Sequence, residues 1–167
     1  MKQWLVFYTK SRQEKKVKEL LERRGFEVFL PLQKVMRQWS DRKKIVEAPL
    51  FNSYLFVFES CDNIPSVLQT PGVAWNIRHN DKPAVLNTKE LETIKRFLLS
   101  GLLLESRSLE KFQTGDNVQV IDGPLKNMIG VLIKTKEGDK LTVALESIGQ
   151  SLLVRIDSKL LTKKNLI

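Results

Sequence analysis

Hydrophobic residues run without a break through two short segments near the start of the chain. Residues 4–8 read WLVFY and residues 54–58 read YLFVF, so both faces of an extended strand are apolar in each. A sheet covered by helices on only one face would not need this pattern. The pattern predicts two central strands. Part of their second face is expected to be covered by something other than this chain's few helices.

Helical patterns occur in three segments of the first hundred residues. Residues 11–14, Ser-Arg-Gln-Glu, read as a capping box, which predicts a helix that runs to about residue 24 and stops at Gly25. The buried positions of this helix are predicted to be Val17, Leu20 and Leu21. A short second helix is predicted within residues 63–69. A third helix begins at residue 87 or 88, and its predicted buried positions are Leu91, Ile94 and Leu98.

A basic hairpin is predicted over residues 33–46, with its turn at residues 40–42. The residues predicted to line its packed parts are Val35, Trp39, Ile45 and Val46. Those predicted to project outward are Lys34, Arg37, Arg42, Lys43 and Lys44. Cations beside a tryptophan suit DNA, because they contact phosphates while the ring stacks on an unpaired base. An edge hairpin kept soluble by lysines explains the pattern equally well.

The last third of the chain has the pattern of short strands alone. Strands are predicted at residues 118–121, 130–134, 141–146 and 152–156, with a further one at 159–161, and together they predict a small barrel. Asp122, Gly123 and Pro124 form a corner between the first two strands, where Gly123 can take a positive φ. The spread of glycines and β-branched residues opposes a helical alternative for this segment.

Positive charge is concentrated in the first part of the chain. The net charge of the 167 residues is +9, and residues 1–58 contain 13 Lys and Arg against 6 Asp and Glu, which gives +7. This asymmetry favours a local surface for phosphates or acidic protein, although basic proteins of this size are often only well solvated. Without a long apolar run or a signal-peptide pattern, the protein is expected to be soluble and cytoplasmic.

The sequence shows no pattern typical of an enzyme. His79 is the single histidine and Cys61 the single cysteine, so neither an intrachain disulfide nor a cysteine-cluster zinc site is expected. Glycine-rich phosphate loops and HExxH motifs are absent from the sequence. We therefore expect no catalysis, no cofactor and no metal.

Three separated segments resemble one known family. WLVFYTKSR at residues 4–12, PLFNSYLFVF at 49–58 and the KOW motif GDNVQVIDGPLKNMIGV at 115–131 occur in the order found in the NusG/RfaH family of transcription elongation and antitermination factors. The resemblance implies an α+β fold. It places an α/β sandwich domain at residues 1–102, a linker at 103–112 and a small SH3-like barrel at 113–167. One departure is Asn52-Ser53, where the family usually has Pro-Gly or Pro-Asn, so we expect a less rigid corner before Tyr54.

The resemblance also implies partners for each domain. Members bind the clamp helices of RNA polymerase in an apolar pocket, and the matching positions here are Tyr8, Phe51, Tyr54 and Phe56. Specialised members read upstream or non-template DNA, for which the candidates are Lys10, Arg12, Lys15, Lys16, Arg37, Arg42 and Lys43. The barrel is expected to bind a ribosomal protein or a termination factor through Leu125, Met128, Ile129 and Ile148, some of which could instead fill the barrel.

The expected function is therefore suppression of pausing or termination by a monomer bound to RNA polymerase. The basic first helix and the PLFNSYLFV stretch are similar to specialised, operon-directed paralogues of the UpxY type. The alternative is a ribosome-associated KOW protein that binds structured RNA. That alternative explains the charge and the barrel but gives no role to the strands that are apolar on both faces.

Overall fold

The computed structural model describes residues 1–164. Helices and strands are mixed, which confirms the predicted α+β class. The chain divides into two compact units, the first ending at Leu91 and the second beginning at Glu92. Each unit is described by itself below.

The first unit is built on an antiparallel sheet. Its elements are β1 (Gln3–Thr9), α1 (Glu14–Arg23), β2 (Glu27–Phe29), β3 (Leu32–Gln38), β4 (Lys43–Pro49), β5 (Tyr54–Glu59), α2 (Ile64–Leu68), β6 (Val73–Asn76), β7 (Arg78–His79), β8 (Lys82–Pro83) and β9 (Val85–Leu86). The main sheet has the order β2-β5-β1-β6, and β9 also pairs with β1. β3 and β4 form the separate two-stranded hairpin that the sequence predicts.

Helices α1 and α2 cover one face of this sheet. Leu5 and Phe7 of β1 and Leu55 and Val57 of β5 are buried in a single apolar cluster. The helices contribute Val17, Leu21, Ile64 and Val67 to the same cluster. Burial of Val17 and Leu21 confirms the predicted stripe of α1, whereas Leu20 is half-buried.

The predicted capping box at the start of α1 is wrong. The helix begins at Glu14, and its N-cap residue, Gln13, makes no side-chain cap hydrogen bond. The Glu14 side chain is committed elsewhere, since it is buried and its Oε2 accepts the Ser53 backbone N–H at 3.1 Å. A contact between residues 39 positions apart has replaced the local one that the sequence suggested.

The same contact shapes the corner before Tyr54. Ser53 has a φ of 67°, a left-handed conformation that a non-glycine residue adopts at a cost of about 1 kcal/mol. The Tyr54 N–H donates to the Phe51 carbonyl at 3.3 Å, and the Thr9 N–H donates to the Ser53 carbonyl at 2.8 Å. These bonds and the Glu14 carboxylate supply the constraint that a proline would supply, although the sequence suggests a loose corner.

The second unit contains the end of α3 (Thr88–Leu99) and one antiparallel sheet. The strands are β10 (Leu104–Ser108), β11 (Asp116–Val120), β12 (Ile129–Thr135), β13 (Gly138–Leu145), β14 (Gln150–Arg155) and β15 (Leu161–Lys163), in the order β10-β14-β13-β12-β11-β15. The first four predicted strands are thus present. The fifth strand, predicted at residues 159–161, lies at residues 161–163 instead. The Asp157 side chain accepts the Lys159 N–H and caps a 3-10 turn at residues 158–160, so the strand begins only after that turn.

The segment predicted as a linker, residues 103–112, contains β10. This strand pairs with β14 at five positions, and Leu104 is 3% exposed. Its other side chains are mostly polar, which is why the sequence reads as a connection. The division at Leu91 also differs from the predicted boundary at residue 102, and Arg96 of α3 donates to the Lys126 carbonyl of the second unit at 2.7 Å.

Helix α3 has a slightly different buried stripe from the predicted one. Leu91, Ile94 and Phe97 are buried, at a spacing of three residues, while Leu98 is half-buried. Phe97 therefore takes the place predicted for Leu98.

Candidate aromatic and basic surfaces

Aromatic side chains dominate the face of the main sheet opposite α1 and α2. In the strand register Tyr8 lies opposite Tyr54 and Trp75, and Phe56 lies opposite Phe29. Trp4 lies opposite Phe58 at the other end of the same strands. We call this side of the sheet the aromatic face, and its members, both exposed and buried, are Trp4, Tyr8, Phe29, Tyr54, Phe56, Phe58 and Trp75.

The rings of the aromatic face contact one another in two groups. Tyr8 stacks on Trp75 with a centroid distance of 4.4 Å and an interplanar angle of 10°. Tyr8 also meets Tyr54 edge to face, with centroids 5.6 Å apart. At the other end Trp4 lies 5.1 Å from Phe58. Stacked and edge-to-face pairs of this kind fix ring orientation, so the surface is preorganised.

The four positions predicted for RNA polymerase contact differ in accessibility. Tyr8 and Tyr54 are half-buried and present part of their rings to solvent. Phe51 and Phe56 are 2% and 0% exposed, so a partner could touch them only after a rearrangement. Their predicted role is therefore revised. They pack beneath the surface, with Phe51 edge to face on Phe56 at 6.4 Å.

Trp75 is the residue that sequence reasoning missed. It is 53% exposed, and it belongs to the aromatic face because β6 pairs with β1. The four residues of β6 are too few to show a clear alternation in the sequence. The one available signal was the Pro71-Gly72 turn before an apolar run.

The β3–β4 hairpin carries a second aromatic group at its tip. The Trp39 N–H donates to the Arg42 carbonyl at 2.7 Å, which closes a two-residue loop at Ser40 and Asp41. The Lys44 ammonium lies 4.6 Å and the Arg42 guanidinium 5.9 Å from the centre of the Trp39 ring. Arg37 lies opposite Lys44 in the strand register, on the same face of the hairpin as Trp39. We call Arg37, Trp39, Arg42 and Lys44 the hairpin cationic group.

The opposite face of the hairpin tip has a different character. Lys43 lies opposite Gln38, on the face that also carries Met36 and Ile45. Met36 and Ile45 are each 60% exposed and Trp39 is 44% exposed, so the prediction that Trp39 and Ile45 line packed parts is wrong. Only the base of the hairpin packs, where Val35 and Val46 are half-buried.

All seven residues predicted for nucleic-acid contact are exposed, and they lie in two regions of the first unit. Lys10 and Arg12 belong to the turn between β1 and α1, and Lys15 and Lys16 to the first turns of the helix. The Lys15 ammonium donates to the Glu47 carbonyl of β4 at 2.5 Å, which ties α1 to the hairpin. The other three, Arg37, Arg42 and Lys43, lie on the hairpin itself.

Three of the four barrel positions predicted for a partner are interior. Leu125, Met128 and Ile148 are 1%, 7% and 2% exposed, so they fill the barrel. Ile129 is 46% exposed, and Ile121 is 49% exposed. Because Ile129 lies opposite Gln119, Ile121 falls on the same face as Ile129. Ile121, just after β11, and Ile129, at the start of β12, are thus the exposed apolar residues on either side of the turn that joins these two strands.

A cluster of charges in the second unit joins β10 to β13 across the intervening strand β14. The Lys140 side chain is 6% exposed, and its ammonium contacts Glu105 at 2.5 Å and Glu137 at 2.9 Å. The hydrogen bond from Lys140 lowers the pKa of Glu105, and the bonds to Glu105 and Glu137 raise the pKa of Lys140. Both shifts favour the charged forms, as expected for an ion pair that stabilises the fold.

Residues 1–164 contain no group of three or more His, Cys, Asp or Glu side chains placed to hold a metal ion. None of the helices in these residues is both long enough and apolar enough to span a bilayer.

Comparison with known proteins identifies relatives along most of the chain. Residues 2–95 match the family model described as NusG, transcription termination factor nusG. The protein named transcription termination/antitermination protein NusG from Bacillus subtilis is 31% identical, over 77% of this chain and 79% of the relative. The protein of the same name from Halalkalibacterium halodurans is 28% identical, over 93% and 95%.

A solved structure supports the fold independently. The structure titled "Domain interaction in Thermotoga maritima NusG" aligns with a TM-score of 0.61 and 21% sequence identity. The alignment covers 99% of this chain and 98% of the other. At this level of identity the likeness concerns the fold.

Proposed function

This chain belongs to the NusG family and is a transcription termination/antitermination factor, and on that premise we propose that its first unit binds RNA polymerase through the aromatic face. The observation that carries the proposal is the asymmetry of the main sheet. One face is packed under α1 and α2, while the other presents Tyr8 and Tyr54 partly to solvent and Trp75 largely so. Contiguous exposed aromatic side chains are typical of protein interfaces.

The partner that fits this face is a pair of helices from the polymerase clamp. Apolar side chains on a helix repeat every three to four residues and can insert between the preorganised rings. Tyr8 and Tyr54 make the direct contacts, whereas Phe51 and Phe56 are buried and pack on each other.

The proposed mechanism needs no catalytic step. A factor that binds the closed clamp more tightly than the open one shifts the polymerase away from the open, paused conformation. The size of the shift is limited by the difference between the two affinities. Suppression of pausing or termination follows from that difference.

A second contact, with upstream or non-template DNA, is proposed for the basic elements of the first unit. The hairpin cationic group combines three cations with a tryptophan ring, which suits phosphates and an unpaired base. Lys10, Arg12 and Lys16 add exposed charge at the start of α1. This contact would direct the factor to particular operons, as in the specialised members that the sequence resembles.

For the barrel we propose a protein partner, of the ribosomal or termination-factor class, that contacts Ile121 and Ile129. Both are branched apolar side chains about half exposed on one face. The buried residues Leu125, Met128 and Ile148 take no direct part in this contact.

Tyr54→Ala tests the polymerase proposal. Loss of a half-buried aromatic anchor is expected to weaken binding to RNA polymerase core enzyme by about 1 to 3 kcal/mol. Affinity is measured by fluorescence anisotropy of labelled full-length protein, with thermal unfolding to verify the fold. The control is Leu68→Ala, because Leu68 is an exposed apolar residue on α2, the helix that packs on the opposite face. Equal affinities of wild type and a folded Tyr54→Ala would contradict the proposal.

Arg37→Gln with Arg42→Gln tests the DNA contact. The DNA association constant falls as salt concentration rises. Each lost phosphate contact is expected to reduce the magnitude of the slope of its logarithm against the logarithm of salt concentration by about 0.7 to 0.9. The double variant should therefore show a flatter salt dependence with single-stranded and forked DNA. Lys136→Gln with Lys159→Gln removes the same charge from the second unit and should leave the slope unchanged. The same flattening in both double variants would mean that charge alone attracts DNA, without a site on the hairpin.

A further inference from the structure

Trp75 occupies an unusual position at the edge of the aromatic face. Its strand, β6, is the end strand in the main sheet order, and it pairs with β1. The indole stacks on Tyr8 at 4.4 Å with an angle of only 10° between the rings. Tyr8 in turn meets Tyr54 at 90°. Three aromatic rings therefore form one continuous cluster, of which Trp75 is the exposed end.

The indole is held in place before any partner arrives. Tyr8 covers one side of the ring, and the turn before β6 is tied to β1 because the Lys10 N–H donates to the Gly72 carbonyl at 2.9 Å. Gly72 itself packs against α1, since a Cβ built there would lie 2.6 Å from Val17 Cγ2. A fixed aromatic side chain loses little conformational entropy on binding, which is a property of residues that dominate interfaces.

The surroundings of Trp75 favour an apolar partner. Residues 73–77, Val-Ala-Trp-Asn-Ile, include no charged side chain. The indole is 53% exposed, so about half of a large apolar surface remains in water. Lys44 and Arg42 lie over the ring of Trp39, whereas Tyr8 lies against the ring of Trp75. The two exposed tryptophans thus have different chemical settings.

We propose that Trp75 is a contact residue for RNA polymerase, and that it extends the binding surface from Tyr8 and Tyr54 to the β6 edge of the sheet. The proposal rests on the proposed function of the aromatic face. Its occupant is the apolar side of a polymerase helix, which packs on the open side of the indole while Tyr8 supports the other side.

Trp75→Ala is expected to weaken binding to RNA polymerase core enzyme about 5- to 30-fold, the effect of removing a well-packed aromatic contact. Trp75→Phe keeps a ring that can stack on Tyr8 and should lose less than Trp75→Ala. Binding is measured with the full-length protein by anisotropy, and each variant is checked by thermal unfolding. Trp39→Ala is the matched control, because it removes a tryptophan of similar exposure, 44%, from the hairpin.

The same variants are titrated with a single-stranded oligonucleotide. Trp39→Ala should weaken that binding and leave polymerase affinity unchanged, whereas Trp75→Ala should do the reverse. If Trp75→Ala weakened only oligonucleotide binding, the residue would be a base-stacking platform and the proposal would be overturned. If Tyr54→Ala weakened polymerase binding while folded Trp75→Ala and Trp75→Phe did not, the role of Trp75 would be refuted and the aromatic-face proposal would stand. If none of the three changed polymerase affinity, both proposals would fail.

Discussion

Replacing Gly115 by alanine is expected to destabilise the second unit by about 3 kcal/mol, the upper range for overpacking a close-packed site. A Cβ at this position would lie 2.2 Å from the Leu132 carbonyl oxygen and 3.2 Å from Val131 Cγ1. The oxygen belongs to the backbone of β12, which β11 pairs with from Asp116 onward. Rotation of a side chain cannot relieve this contact, so the two strands would have to separate.

Gly123→Ala is the matched control in the same unit. Gly123 has a φ of 89°, but no atom lies within 4 Å of a Cβ built there. Its replacement should cost only the left-handed strain of about 1 kcal/mol. Hydrogen exchange in the full chain, followed in peptides from residues 115–160, reports the opening free energy of this unit. Equal losses of protection in the two variants would contradict the predicted clash between an added Cβ at Gly115 and the Leu132 carbonyl oxygen.

Local patterns were sufficient to predict the elements that depend on local chemistry. The β-branched residues and scattered glycines of the last third predicted strands, and Gly123 does take the positive φ expected of the corner. The continuous apolar runs at residues 4–8 and 54–58 predicted central strands with two apolar faces. One face is packed under α1 and α2, and the other carries the aromatic side chains of the strands themselves, so cover of that second face by another molecule stays a prediction.

The failures involve contacts between residues far apart in the chain. The Ser-Arg-Gln-Glu pattern satisfies the rule for a capping box, yet Glu14 is drawn into a bond with Ser53, which a local rule cannot anticipate. Phe51 and Phe56 look like surface residues by their position in a motif, but burial depends on how neighbouring strands pack over them. Trp75 becomes part of the aromatic face only because β6 pairs with β1.

The strand β10, within residues 103–112, depends on distant contacts in the same way. Residues 104–108, Leu-Glu-Ser-Arg-Ser, have the composition of an exposed connection. Their strand is stabilised by its pairing with β14 and by the bond between Glu105 and Lys140, a residue on β13. The partners lie at least 35 positions away in the sequence, so composition alone is misleading here.

The Glu105–Lys140 pair makes β10 sensitive to pH. The bond to Lys140 lowers the Glu105 pKa from its ordinary value of 4.5. The stabilisation from ionised Glu105 is therefore complete above about pH 4.5 and is lost as the pH falls through the lower pKa of the folded state. The Lys140 pKa is raised from 10.5, so its contribution is present below that pH and is lost as pH rises through the higher folded value. The cluster therefore contributes fully between these limits.

Glu105→Ala is expected to destabilise the second unit by about 2 kcal/mol at neutral pH, less than the usual cost of breaking a buried ion pair. Removing one partner leaves a buried ammonium incompletely compensated, while the remaining Glu137 and the 42% exposure of Glu105 keep the loss below that of a fully buried pair. The acid-side decrease in stability assigned to Glu105 should vanish in this variant. Asp116→Ala, which breaks the exposed contact with Lys163 at 3.9 Å, should change stability far less. The measurement is hydrogen exchange of peptides from β10 and β14 in the full chain, between pH 3 and 7 and corrected for intrinsic rates. An unchanged acid-side slope in Glu105→Ala would assign the pH sensitivity to other carboxylates.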